Sequence, residues 1–156
     1  MELNNPIFSD SGIVNVTWGQ HVKVVLPVNL YECTIGDNCF IGPFVEIQKG
    51  VVIGNNTRIQ SHSFICELVT IGSDCFVGHG VMFINDCFKD GKPAKGDKNK
   101  WESTIIGNNV HIGSNATILP VKICEKVVIG AGAVVTKDII ISGKYAGNPA
   151  KLILSL

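Results

Sequence analysis

No stretch of this chain reaches the roughly 20 consecutive apolar residues that span a bilayer. Its first residues, Met1-Glu2-Leu3-Asn4-Asn5-Pro6, carry neither a basic region nor an apolar run. No leader or membrane segment is therefore expected, and the expected location is the cytoplasm. Charge of one sign is also missing, because 13 Lys and Arg balance 13 Asp and Glu. No global field then draws the chain to nucleic acid or to an anionic membrane, so recognition falls to specific sites. The six cysteines include no C-x-x-C pair, which favours reduced, incidental thiols over a disulfide framework or a metal site.

What the chain has instead is a period of six. From Ile35 to Phe83 every sixth residue is apolar: Ile35, Ile41, Ile47, Ile53, Ile59, Ile65, Ile71, Val77, Phe83. Four residues after each stands a small or β-branched residue, among them Cys39, Val45, Thr57, Ser63, Cys75 and Cys87. This period fits neither an amphipathic helix nor simple strand alternation. It is the signature of a parallel β-helix in which each hexad supplies one short strand and one turn. With three hexads to a triangular coil, residues eighteen apart stack at strand spacing, and the repeat residue and its small partner fill the interior. Gly-Asp-Asn and Gly-Asn-Asn triplets at 36–38, 54–56 and 107–109 suit corners that need positive φ. Cys39, Cys75 and Cys87 are expected to point inward.

On these hexads the chain resembles the left-handed β-helix acyltransferase superfamily. The handedness comes from that resemblance, since periodicity alone does not decide it. The fold expected is a single all-β domain over 1–156: an N-terminal cap at 1–27, coils at 28–140 and a C-terminal cap at 141–156. Gly91, Pro93 and Gly96 mark 86–102 as a projecting loop, rich in lysine at Lys89, Lys92, Lys95, Lys98 and Lys100. It reads either as a solvated loop or as an arm reaching a neighbouring subunit. After the loop the register resumes at Ile106, and a one-residue slip between Ile118 and Ile123 is expected to bulge the wall.

Residues preceding each repeat position should face outward, in stacks Phe40, Arg58, Phe76; Glu46, Phe64, Met82; and Val52, Thr70, Phe88. Several are too apolar to leave together in water. A homotrimer burying Phe64 and Met82 is expected, as the resemblance also implies, with active sites between subunits.

Four segments narrow the resemblance: 59–66, 77–86, 116–121 and 146–151. Together they are similar to N-acetyltransferases that acetylate the amino group of a nucleotide-linked 3-amino-deoxyhexose, dTDP being the expected nucleotide. Such a reaction needs acetyl-CoA, a deprotonated amine and a route for its proton. His62 and His79 are the imidazoles of the regular central coils, and eighteen-residue stacking puts them on neighbouring layers of one corner. A His there suits a base or relay, or simply satisfies a turn. His62 and Asn85 are the candidate catalytic residues, with Ser61, His79, Asp86 and Trp101 for the acceptor. Asn85 and Asp86 also suit a turn. The resemblance implies a CoA groove near the upper coils, with Ser114, Ala131, Gly132, Lys137 and Lys151 as matching positions; the glycines equally serve the turns.

Rival functions occupy the same scaffold. A sugar or serine O-acetyltransferase is the first, but in the galactoside and maltose type the active-site His lies in the projecting loop, and 86–102 contains none. A γ-carbonic-anhydrase-like zinc enzyme needs three converging imidazoles, two of them close in one chain. His62, His79 and His111 lie 17 and 32 residues apart, so no metal is expected. A non-catalytic scaffold would use the coils but gives no reason for the His and Asn set.

Overall fold

The computed structural model describes residues 11–155. Residues 1–10 of the expected N-terminal cap and Leu156 of the C-terminal one lie outside them. The chain forms a left-handed parallel β-helix of triangular section, with strands mostly two residues long. Three sheets make its faces. The first runs from Ile13–Val14 through Asn29–Tyr31, Glu46–Ile47, Phe64–Ile65, Met82–Phe83 and Thr117–Ile118 to Val134–Val135. The second climbs from Thr17–Trp18 to Lys122–Ile123, and the third from Lys23–Val24 to Gly143–Ala146. An antiparallel strand, Lys151–Ser155, closes the third.

Because each two-residue strand has one side chain in and one out, the repeat residue fills the prism at every rung. Leu30, Ile47, Ile65, Phe83 and Ile118 form one such column, each fully buried. At the edge between the second and third faces three successive inward residues can donate, and their protons go to a carbonyl of the coil above. Cys39 Sγ donates to Gly54 O (3.1 Å), Thr57 Oγ1 to Gly72 O (2.9 Å) and Cys75 Sγ to Gly107 O (3.2 Å). A buried side chain that would otherwise cost free energy is thereby satisfied. The outer corner carries a second ladder, Asn38 Nδ2 to Asn56 Oδ1 and Asn56 Nδ2 to Asp74 Oδ1. Asn38 and Asn56 both sit at positive φ, where Asn is favoured.

Four expectations change in detail. Residues 13–24, read as a cap, carry three strands that continue the ladder, so the described prism begins one coil lower than expected. The slip before Ile123 produces no bulge: Ile105 pairs with Lys122 and Ile106 with Ile123, and the shorter count is absorbed in the corner at 119–121. The residue stacked on Thr70 is Ile105, not Phe88, because the chain leaves the prism after Met82–Phe83 and re-enters at Thr104. Cys87 leaves with it and is exposed, whereas Cys39 and Cys75 are buried as expected and Cys33 and Cys66 are buried too. The Phe40–Arg58–Phe76 and Glu46–Phe64–Met82 stacks form as read.

Candidate active site

At the edge joining the third face to the first, five successive coils above the lowest turn through four residues: 42–45, 60–63, 78–81, 113–116 and 130–133. Parallel register sets Ser61, His79, Ser114 and Ala131 in one column of that edge, and Phe44, His62, Gly80, Asn115 and Gly132 in the next. The first turn residue is Gly in four of the five for a steric reason. A Cβ on Gly78 would lie 2.7 Å from Ser114 N, and one on Gly42 would lie 2.7 Å from Ser61 N. The third residue takes positive φ in each: Phe44, His62, Gly80, Asn115 and Gly132.

His79 and His62 thus share an edge but not a column. His79 is exposed, and its Nδ1 lies 3.5 Å from Ser114 Oγ. His62, also exposed, stacks on Phe44 with ring centroids 4.8 Å apart. Its backbone N–H donates to Pro43 O and Ser61 O accepts from Gly80 N, so the turns holding both imidazoles are tied to their neighbours. Phe44 escaped the sequence reading. Its signal was present, since it stands eighteen residues before His62 in the same turn position.

The remaining candidates sit elsewhere. Asn85 lies on the first–second edge, donating from Nδ2 to Glu67 O (3.2 Å). Asp86 roots the loop: Oδ1 accepts from Phe88 N (3.0 Å) and Oδ2 from Ala94 N (2.8 Å). Both of its oxygens are therefore engaged in holding 86–94. Three of the five loop lysines are also occupied, Lys98 with Glu67 (2.6 Å), Lys100 with Asp90 (2.6 Å) and Lys89 with Glu102 (3.2 Å). Among the described residues Lys92 and Lys95 have no ion-pair partner. Trp101, with Lys98 Nζ 5.5 Å from its ring centroid, lines an open groove of about 400 Å³ with Pro120, Lys122 and Asp138. Lys137 follows Val134–Val135 on that same edge. Lys151 instead begins the last strand, directly after the 147–150 turn that covers the top of the His edge.

The candidate set is accordingly split. Ser61, His62, His79, Ser114, Ala131, Gly132 and Lys151 belong to the third–first edge, and Asn85, Asp86, Trp101 and Lys137 to the first–second edge. Among the described residues no group of three or more His, Cys, Asp or Glu is placed to hold a metal, and no helix is long and apolar enough to cross a membrane.

The coils and this corner column define the class, a left-handed hexapeptide-repeat β-helix. Residues 32–67 match the bacterial transferase hexapeptide (six repeats) family, and residues 103–137 match the hexapeptide repeat of succinyl-transferase. The bifunctional protein GlmU of Clostridium botulinum is 37% identical over 109 residues, 69% of this chain and 21% of that protein. The chain thus spans about a fifth of the length of the first curated relatives it matches. A hexapeptide transferase family protein from Anaplasma phagocytophilum shares the fold, at TM-score 0.73 and 18% identity over 94% of this chain and 84% of that one. A galactoside acetyltransferase in complex with coenzyme A superposes at TM-score 0.67 with 32% identity, covering 78% of this chain and 64% of that one. These matches support the hexapeptide-repeat transferase superfamily for the coils.

Proposed function

We propose that the chain transfers an acetyl group from acetyl-CoA to the amine of a nucleotide-linked 3-amino-3,6-dideoxyhexose, dTDP being the nucleotide. The observation that carries this reading is the edge where His79 meets Ser114 and His62 lies one coil away, both imidazoles exposed. The sugar amine attacks the thioester carbon, a C–N bond forms, the C–S bond breaks and CoA leaves as the thiol. His62 takes the proton the nitrogen loses and returns it to the departing sulfur, and Ser114 orients His79 against the acceptor. The 130–133 turn continues the same edge above Ser114, with open space around Gly132, so Ala131, Gly132 and Lys151 suit the donor.

Asn85, Trp101 and Lys137 stand on another edge, so a site using all of these residues needs a second subunit. A homotrimer supplies one, and the exposed Met82 beside Phe64 offers an apolar face to bury. Within it the first–second edge of one subunit meets the third–first edge of the next. A cytoplasmic location follows from the supply of acetyl-CoA and nucleotide sugar.

A second reading, acetylation of a sugar hydroxyl, is favoured by the likeness to galactoside acetyltransferase. One assay separates the two: thiol release from acetyl-CoA with nucleotide-linked 3-amino and 4-amino deoxyhexoses, a galactoside and serine. Turnover with an amino sugar alone is expected. Turnover with the galactoside or serine alone overturns the amine assignment, and no turnover or CoA binding overturns both readings.

A further inference from the structure

Outward side chains on the third face fall into one vertical line, and that line alternates. Lys23 is followed by Phe40, then Arg58, then Phe76. Next come His111, Val128 and Lys144, and the antiparallel last strand adds Leu154 beside Lys144. Every second rung is basic and every rung between is apolar, from the lowest coil to the top. The other faces lack this order: the first has the carboxylate of Glu46 in the corresponding line, and the second has a single cation, Lys122.

The four basic residues are exposed, no carboxylate stands among them, and among the described residues none of them forms an ion pair. Arg58 is held in place by an apolar neighbour, its guanidinium 4.4 Å from the centre of the Phe40 ring. At the fifth rung the line opens sideways into a groove of about 190 Å³ lined by Asn109, His111, Lys126 and Val128. Two basic groups and an amide thus converge there beside an apolar wall.

Spacing decides what fits. Rungs lie about 4.8 Å apart, so successive basic groups repeat at roughly 10 Å. An extended peptide presents same-side residues every 6.6 Å or so. A B-form DNA strand presents a charge about every 3.4 Å along its axis. Neither matches the line. An extended glycan advances by close to one rung per sugar and offers apolar ring faces that pack on phenyl groups, so acids on alternate sugars meet alternate rungs.

We propose that the third face is a docking track for an extended acidic glycan carrying one carboxylate on every second sugar. The acids pair with Lys23, Arg58, His111 and Lys144, the intervening sugars lie on Phe40, Phe76 and Val128, and the Asn109–Lys126 groove takes one carboxylate more deeply. The track borders the edge that holds His62 and His79, but it does not depend on acyl transfer there.

The test titrates the full chain at low and high salt with an oligosaccharide of alternating glucuronic acid and N-acetylglucosamine. A neutral N-acetylglucosamine oligomer of equal length and a single-stranded oligonucleotide of equal charge serve as competitors. The acidic oligosaccharide is expected to bind at low salt and to weaken as salt rises, with the neutral oligomer silent and the oligonucleotide at least tenfold weaker. Arg58→Gln and Phe76→Ser should each weaken binding about tenfold, while Lys122→Gln on the second face changes nothing; an unchanged Tm and sedimentation coefficient verify each fold. Thiol release on small acceptors should be the same in Arg58→Gln as in the parent. No binding, equal binding by the oligonucleotide, or indifference to both Arg58→Gln and Phe76→Ser overturns the proposal. So does a change of oligomeric state in either variant, which would make the face a contact between copies.

Discussion

Thr57 and Cys75 lean on each other inside the prism: the Cys75 backbone N–H donates to Thr57 Oγ1 at 3.1 Å, while that hydroxyl donates to Gly72 O at 2.9 Å. One hydroxyl joins two coils where the hexad pattern asks only for a small residue. Thr57→Val keeps the shape and leaves both partners unsatisfied. It should cost about 1–3 kcal/mol, measured as a lower urea midpoint with an unchanged slope. An unchanged midpoint would show the ladder to be incidental to stability.

The buried thiols give a pH dependence. Burial pushes Cys66 up to about 12 and Cys33 up to about 11 from an ordinary 9.0, and it raises Cys39 and Cys75 as well. Above pH 9 the unfolded chain sheds thiol protons that the folded chain retains, so the unfolded state binds fewer protons and stability falls as pH rises. The contribution is complete below pH 9 and lost progressively toward pH 11–12. Urea midpoints between pH 8 and 10.5 should decline, and Cys66→Ala should flatten part of that decline. In native protein at pH 8, the exposed Cys87 should react with a thiol reagent well before Cys33 or Cys66.

Asp86→Ala removes the acceptors of the Phe88 and Ala94 amides. Charge-assisted bonds of this kind contribute about 1.5–3 kcal/mol where shielded. Proteolytic cleavage within 86–102 should therefore rise about tenfold while the global Tm stays nearly constant. A large fall in Tm would instead place Asp86 in the folding of the whole prism.

His62→Asn is a clean test of the base, because Asn tolerates the φ of 64° at this corner. Loss of a general base should lower kcat/KM about 10²–10⁴-fold without moving Tm. Near-normal turnover would leave His62 as a partner of Phe44 and nothing more.

Much of this molecule was legible from its period. The inward Ile column, the shared corner of His62 and His79 and the departure of the chain near Asp86 all follow from counting in sixes. Counting failed where a coil holds seventeen residues, as between Ile106 and Ile123, because a corner can shed a residue without moving the strands beside it. It failed at Phe88 and Cys87 because an excursion resets the count, and only the re-entry at Thr104 reveals by how much. The lower coil escaped because Trp18 and Val24, which align with Ile35 and Ile41, are not the expected Ile. The division of candidate residues between two edges was hidden for a different reason. Sequence order brings Asp86 and His79 within seven residues, yet one strand of the first face lies between them.

The excursion is also clamped at its neck, where Glu102 N donates to Asn85 O at 2.9 Å. The two ends of the loop meet as if it were absent, and the coil above starts in register whatever lies between. This corner is therefore a socket: the prism accepts a different insert, longer or shorter, without renegotiating its core. Such a scaffold can change what it presents at that edge by exchanging a removable part.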